Sequence, residues 1–125
     1  MSNQTVDVSV KSAPFIVGDG VRMENAKPTT NTAYKKGDLL ILGASNVATL
    51  ATDPAVWDAI CGADMTAAQS TAHVTDGFEM PIYTQGAFSI SAITLGGTAL
   101  ATNQYDAARA RGTKNKFELR KVVGA

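Results

Sequence analysis

The chain holds one cysteine, Cys61, and one histidine, His73. A thiol attacks as thiolate and needs a base within reach, so these two are the one combination that could act as nucleophile and base. Their settings argue against it. Cys61 lies between Ile60 and Gly62 in a small apolar run, which predicts a buried, unreactive thiol. His73 lies in Thr71-Ala72-His73-Val74, a polar run that predicts an exposed loop or strand residue. A single cysteine also excludes an intramolecular disulfide. No Cys/His spacing suits zinc. Gly18-Asp19-Gly20 is a glycine pair without the strand-to-helix setting of a phosphate loop. The carboxylates are scattered, with no close pair on one face for acid–base work on a glycoside. The sequence thus predicts no catalytic residue, no cofactor and no metal, and a protein that is not an enzyme.

The remaining chemistry is charge. Lys and Arg number 11, Asp and Glu number 11, and the formal net charge is zero. That balance is not the basic one of a nucleic-acid binder. Six cations do gather late in the chain, Arg109, Arg111, Lys114, Lys116, Arg120 and Lys121, with Glu118 among them. A nucleic-acid surface would interleave them with exposed aromatics. Phe117 is the one candidate, and strand alternation turns it to the core. A solvated face, or one that meets an acidic protein partner, is the expectation.

The elements that would position these groups are mostly strands. Phe78–Leu95 (FEMPIYTQGAFSISAITL) reads as a hairpin: a strand from Pro81 to Thr84, a turn at Gln85-Gly86, then a period-two strand through Phe88, Ile90 and Ala92. Leu39–Leu42 and Val47–Leu50 read as a second hairpin around Ala44-Ser45-Asn46. Ala59–Ala63 reads as a tightly packed strand, and Asp64–Thr71 as a loop or one helical turn. Asp53-Pro54 reads as a turn or a helix start. One short helix is expected near 102–111, capped by Thr102 or Asn103 and stopped by Gly112 in a left-handed conformation. Lys116–Val123 closes the chain as a strand. This is a mainly β, mixed α+β fold of short strands and irregular loops in 125 residues. The apolar fraction of 45% is rich in alanine, which buries little area, so the core is expected to be thin and helped by self-association.

Residues 1–33 differ. Val6, Val8 and Val10 alternate with Asp7 and Ser9, then Pro14, Gly18 and Gly20 interrupt. Asn25–Thr32 (NAKPTTNT) is polar, with too little apolar surface to offset its own ordering. The expected organisation is an extended N-terminal arm, residues 1–33, and a β-rich globular domain, residues 34–125. The arm would order only against a partner surface, by adding a strand or by lying in a groove. The alternative is that its valine run is an edge strand of the same domain. The longest apolar run, Leu39–Leu42, is far too short to span a membrane, and no secretory signal is read at the start.

Several of these pieces in this order resemble a known family. Gly37-Asp38-Leu39 opens a strand, Ile60–Ala63 is a small-residue strand, and Ile82-Tyr83-Thr84-Gln85-Gly86-Ala87-Phe88 leads to Ile93 and Leu95. A short polar helix and a valine-ending strand follow. From Tyr34 to Val123 the chain resembles the head decoration (capsid cement) proteins of tailed bacteriophages, of the type seen in phage lambda. The resemblance implies a small mixed α/β protein, a homotrimer or else a dimer, whose partner is the major capsid protein. It would sit on the outer surface of the expanded virion shell, after synthesis in the host bacterial cytoplasm, and stabilise the head against packaged DNA. The N-terminal arm would dock on the shell, with Val6, Val8, Val10, Phe15, Ile16 and Val17 as the contact residues. No direct contact with nucleic acid or membrane is implied. A particle-displayed adaptor or carbohydrate-binding β-module is the alternative. It needs an exposed aromatic platform, with Trp57, Tyr34 and Tyr83 as candidates.

Overall fold

The computed structural model describes residues 15–121. The chain is mainly β, as the sequence predicts, with two helices among the described residues where the sequence predicts one. Its strands are β1 (Arg22–Ala26), β2 (Leu39–Leu42), β3 (Ala48–Leu50), β4 (Ala59–Cys61), β5 (Met80–Ser89), β6 (Thr94–Leu95), β7 (Thr98–Ala99) and β8 (Phe117–Arg120). Helix α1 spans Ala67–Asp76 and α2 spans Tyr105–Lys114. No helix among the described residues is long and apolar enough to cross a membrane.

The main sheet runs β1-β5-β4-β2-β3, all antiparallel, and β8 joins β5 in parallel. It curls until its ends nearly meet. Lys27, just after β1, pairs with Val47, just before β3: the Lys27 N–H donates to Asn46 O at 2.9 Å, and the Ala48 N–H donates to Lys27 O at 2.8 Å. Successive strand residues face opposite sides, so each strand feeds two cores. Ala26, Leu40, Ala48, Ala59, Cys61, Met80 and Ile82 fill the inside of the curl with Tyr34 and Met65. Leu39, Ile60, Tyr83, Phe88 and Leu119 fill the other face, beneath Trp57, Phe117 and Ala108 of α2. The core therefore rests on aromatics as much as on alanine.

The expected hairpin over 78–95 is instead the single strand β5 over Met80–Ser89, followed by a 3-10 turn at Ile90–Ala92, where the second hairpin strand is expected, and by the short β6. β5 runs straight through Gln85-Gly86, because Gly86 adopts φ +138°, a left-sided extended conformation that continues the chain instead of reversing it. The strand changes partners there. Up to Gln85 it pairs with β1 and β4; from Gly86 to Ser89 it pairs with β8. A Cβ on Gly86 would lie 2.9 Å from Val21 Cγ2 and 3.1 Å from Val21 Cα.

The division at residue 33 is corrected. β1 is hydrogen-bonded across β5, and Ile16 bridges Phe88 antiparallel in the same strand's second half. The polar run after β1 orders on α1. Thr30 Oγ1 and the Asn31 N–H donate to Thr71 Oγ1 at 3.1 and 2.9 Å, and the Thr32 N–H donates to Ser70 Oγ at 2.9 Å. Such polar latches supply what apolar burial does not. Residues 15–33 thus belong to the folded unit. Val6, Val8 and Val10 lie outside the described residues.

Helix α1 replaces the expected loop. Thr66 and Gln69 form a reciprocal capping box, and Gly77 ends the helix in a left-handed conformation. Helix α2 is found close to its expected place, preceded by a 3-10 turn at Thr102–Gln104. Its start is held by Gln104, whose Oε1 accepts from the Ala101 N–H at 2.8 Å. Gly112 does not stop it. That glycine is buried inside the helix, where a Cβ would come 3.3 Å from the Trp57 ring.

Asp38 fastens the loops over the sheet. Its buried carboxylate accepts from Thr94 Oγ1, from the Gly97 N–H at 2.8 Å and from the Lys35 N–H at 2.9 Å. Two predictions follow from the backbone and from this latch. Gly86→Ala should cost about 1–3 kcal/mol, for strain at positive φ and crowding on Val21; urea unfolding measures it, and a loss under about 0.5 kcal/mol would remove the strain argument. Asp38→Ala, which leaves three donors unpaired, should cost about 2–4 kcal/mol by the same measurement and loosen 94–97 in hydrogen exchange.

Candidate functional site

Cys61 and His73 are on different elements with different partners. Cys61 is fully buried in β4, where Sγ donates to Ala63 O at 3.1 Å. Burial pushes its thiol up to about 11, and the neighbouring carboxylates of Asp38 and Asp64 push the same way. At neutral pH it is a thiol and a poor nucleophile. His73 is on α1, not on a loop or strand. Its Nδ1 meets Gln69 O at 2.9 Å and its ring meets Phe78 edge-on, 5.9 Å between centroids. No hydrogen bond among the described residues links the two. Nor do three His, Cys, Asp or Glu side chains gather there into a group that could hold a metal ion.

The aromatic platform of the binding-module reading is dismantled by the same burial. Trp57, Tyr34 and Tyr83 are all core residues. Tyr34 OH donates to Ala48 O at 2.8 Å, and Tyr83 stacks with Phe15 and Phe88. The exposed aromatic is Phe78, 61% accessible, beside Val74 at the mouth of a groove of about 330 Å³ that Pro28 and Val47 also line. Its place just after the Asp76-Gly77 helix stop was masked in the sequence by the assumed hairpin.

The late basic cluster splits into two uses. Arg111 Nε donates to Trp57 O at 2.8 Å and Nη2 pairs with Asp58 Oδ1 at 3.0 Å, which ties α2 to the loop before β4. Arg120 grips Glu118 with Nε and Nη2 at 2.9 and 3.0 Å, and its Nη1 donates to Val17 O at 2.9 Å. That guanidinium holds the Glu118 carboxyl below the usual carboxylate range. Lys121 lies over the Tyr105 ring, 5.9 Å from its centre. Arg109, Lys114 and Lys116 stand exposed.

The leading segment is the remaining candidate surface. Phe15 O accepts from the Ser89 N–H at 2.9 Å, and the Val17 N–H donates to Ala87 O at 3.0 Å. Phe15 packs on Tyr83 and Phe88, ring centroids 5.5 and 5.1 Å away. Of the three contact residues expected here, Phe15 and Val17 are therefore held by their own domain, and Ile16 projects outward, 42% accessible. Beside them an open cleft of about 470 Å³ is lined by Asp19, Gln85, Lys116 and Arg120. No known protein-family model matches the chain, and no curated protein matches its sequence.

The state of Cys61 sets a test. The folded pKa lies above the ordinary 9.0, so its contribution to stability is complete below pH 9 and fades as pH rises towards about 11. Wild-type unfolding free energy should fall across that window and the Cys61→Ala curve should fall less. Iodoacetamide at pH 8 should label the thiol in urea and not in buffer; rapid native labelling would contradict a buried thiol.

Proposed function

We propose that this chain is a structural protein that decorates the outer surface of an expanded tailed-phage shell and stabilises it against internal DNA pressure. The major capsid protein would be its partner and the virion its location, following synthesis in the bacterial cytoplasm. It would act as a homo-oligomer, a trimer or else a dimer by the family resemblance, and by binding instead of catalysis.

The observation that carries this reading is the course of the leading segment. Residues 15–17 lie extended along β5, and the Ile16 side chain is 42% accessible. Among the described residues no strand pairs with the outer side of residues 15–17. Val6, Val8 and Val10 alternate in the stretch before Phe15, a pattern suited to adding a strand to another protein's sheet. The residues behind the resemblance also occupy the frame: Gly37-Asp38 is the latch ahead of β2, and Ile82–Phe88 forms most of β5. The buried thiol of Cys61 and the internal aromatics fit a protein whose surface binds and whose interior holds shape.

The docking arm in this reading is residues 1–14, because the later part of the expected arm of residues 1–33 contains β1, which belongs to the sheet. Purified protein should cosediment with empty expanded shells and raise the temperature at which filled heads rupture. A variant lacking residues 1–14 should keep its circular dichroism and thermal midpoint yet lose cosedimentation. Full-length protein that leaves both shell readouts unchanged would end the decoration reading, and a truncated form that binds equally well would remove the arm from it.

A further inference from the structure

We infer that the outer edge of β1, unpaired at Met23 among the described residues, is a self-association surface whose occupant is β1 of a second copy, paired antiparallel about Met23. One side of β1 is paired with β5. On the other side the backbone of Lys27 meets Asn46 and Ala48, and Asn25 O accepts from Asn46 Nδ2 at 2.7 Å. A strand residue points its N–H and C=O to the same side, and alternate residues share that side. Met23 therefore presents its N–H and C=O outward, past the end of the hairpin turn that covers Asn25 and Lys27. Its side chain is 51% accessible.

The charges on this edge suit one partner. Arg22 and Glu24 lie on the same face of β1, 3.5 Å apart, with their side chains 67% and 53% accessible. Charged edge residues discourage pairing with arbitrary strands. A second copy is different, because a two-fold axis at Met23 sets Arg22 opposite Glu24 of the other copy, twice. Shifting the axis to residue 22 sets Arg22 against Arg22, and shifting it to residue 24 sets Glu24 against Glu24. Like charges directly opposite are unfavourable and unlike ones favourable, so a single register is selected. At the axis the two Met23 side chains meet and cover each other, a role their flexibility suits. The turn at Ala44–Asn46 and the bend at Gly20, where φ is +77°, confine the pairing to this short stretch. Such an isologous contact closes on itself as a dimer.

This inference rests on the self-association named in the proposed function and gives it the two-fold form. It is measured on free protein, so shell binding can fail without touching it, and the converse. Sedimentation equilibrium of the full chain should give twice the 13.0 kDa chain mass at high concentration. Arg22→Glu alone, or Glu24→Arg alone, places like charges opposite each other and should weaken the dimer about tenfold. An equimolar mixture of the two variants restores both opposed pairs and should recover wild-type association, which a misfolded variant could not do. Wild-type protein that sediments as a monomer or a trimer overturns the inference. So do single variants that dimerise like wild type, or a mixture that gains nothing over its components.

Discussion

A strand with partners on both sides of each half constrains everything around it, and β5 is such a strand. Its first half lies between β1 and β4, and its second half between β8 and residues 15–17. The change of partners falls at Gly86, where φ is +138° and a side chain would strike Val21. Both cores draw on the same strand, Met80 and Ile82 inside the curl and Tyr83 and Phe88 outside it. The chain before β2 and the chain after α2, far apart in sequence, are thereby fixed to one backbone.

The loops over this frame are held by polar groups aimed at backbone. Asp38 gathers three donors, Thr94 Oγ1 and the amides of Lys35 and Gly97. Asp58 accepts from the Leu42 N–H at 2.9 Å while it pairs with Arg111. Thr71 and Ser70 hold residues 30–32. A buried acceptor with all its donors present costs little, and one left unpaired costs the desolvation of the whole group. Irregular segments tied this way keep fixed positions without forming regular structure, and surface side chains on them keep fixed positions too.

What could be read in advance was local. The hairpin from Leu39 to Leu50, the strand at Ala59–Cys61, the late helix and the closing strand all announce themselves by apolar runs and turn residues. Long-range causes were hidden. Gly86 looks like a turn glycine because its sequence neighbours are turn-compatible, and only β8 and Val21 explain why it must extend the strand. Gly112 looks like a helix stop, and only Trp57 explains why the helix needs a glycine in its interior. The missed helix α1 did carry a local signal, Thr66 with Gln69 three positions on. The alanine, serine and threonine content of Ala67–Thr75 obscured it, since those residues mark loops as readily as an exposed helix. For the surface the same division holds. That Cys61 is inert follows from its neighbours alone, whereas the burial of Trp57, Tyr34 and Tyr83 does not.

The leading segment shows why composition misjudged the boundary at residue 33. Poor apolar content was taken to leave residues 15–33 unable to order themselves. The ordering cost is met instead by a template, because β5 offers a row of unpaired backbone groups to any extended chain beside it. Residues 15–17 and 22–26 take that row in succession, both antiparallel, with Gly18–Val21 between them. Once they do, they become the new outer edge, and the unsatisfied groups move outward by one strand. The edge passes from Ile16, next to the chain that leads into it, to Met23 between Arg22 and Glu24. Covering one sheet edge from within has thus created two short edges with different side chains. The first is apolar and continuous with an alternating-valine stretch, which suits a strand from a foreign sheet. The second is charged in a self-complementary order, which suits its own copy. The same β5 template generates both edges.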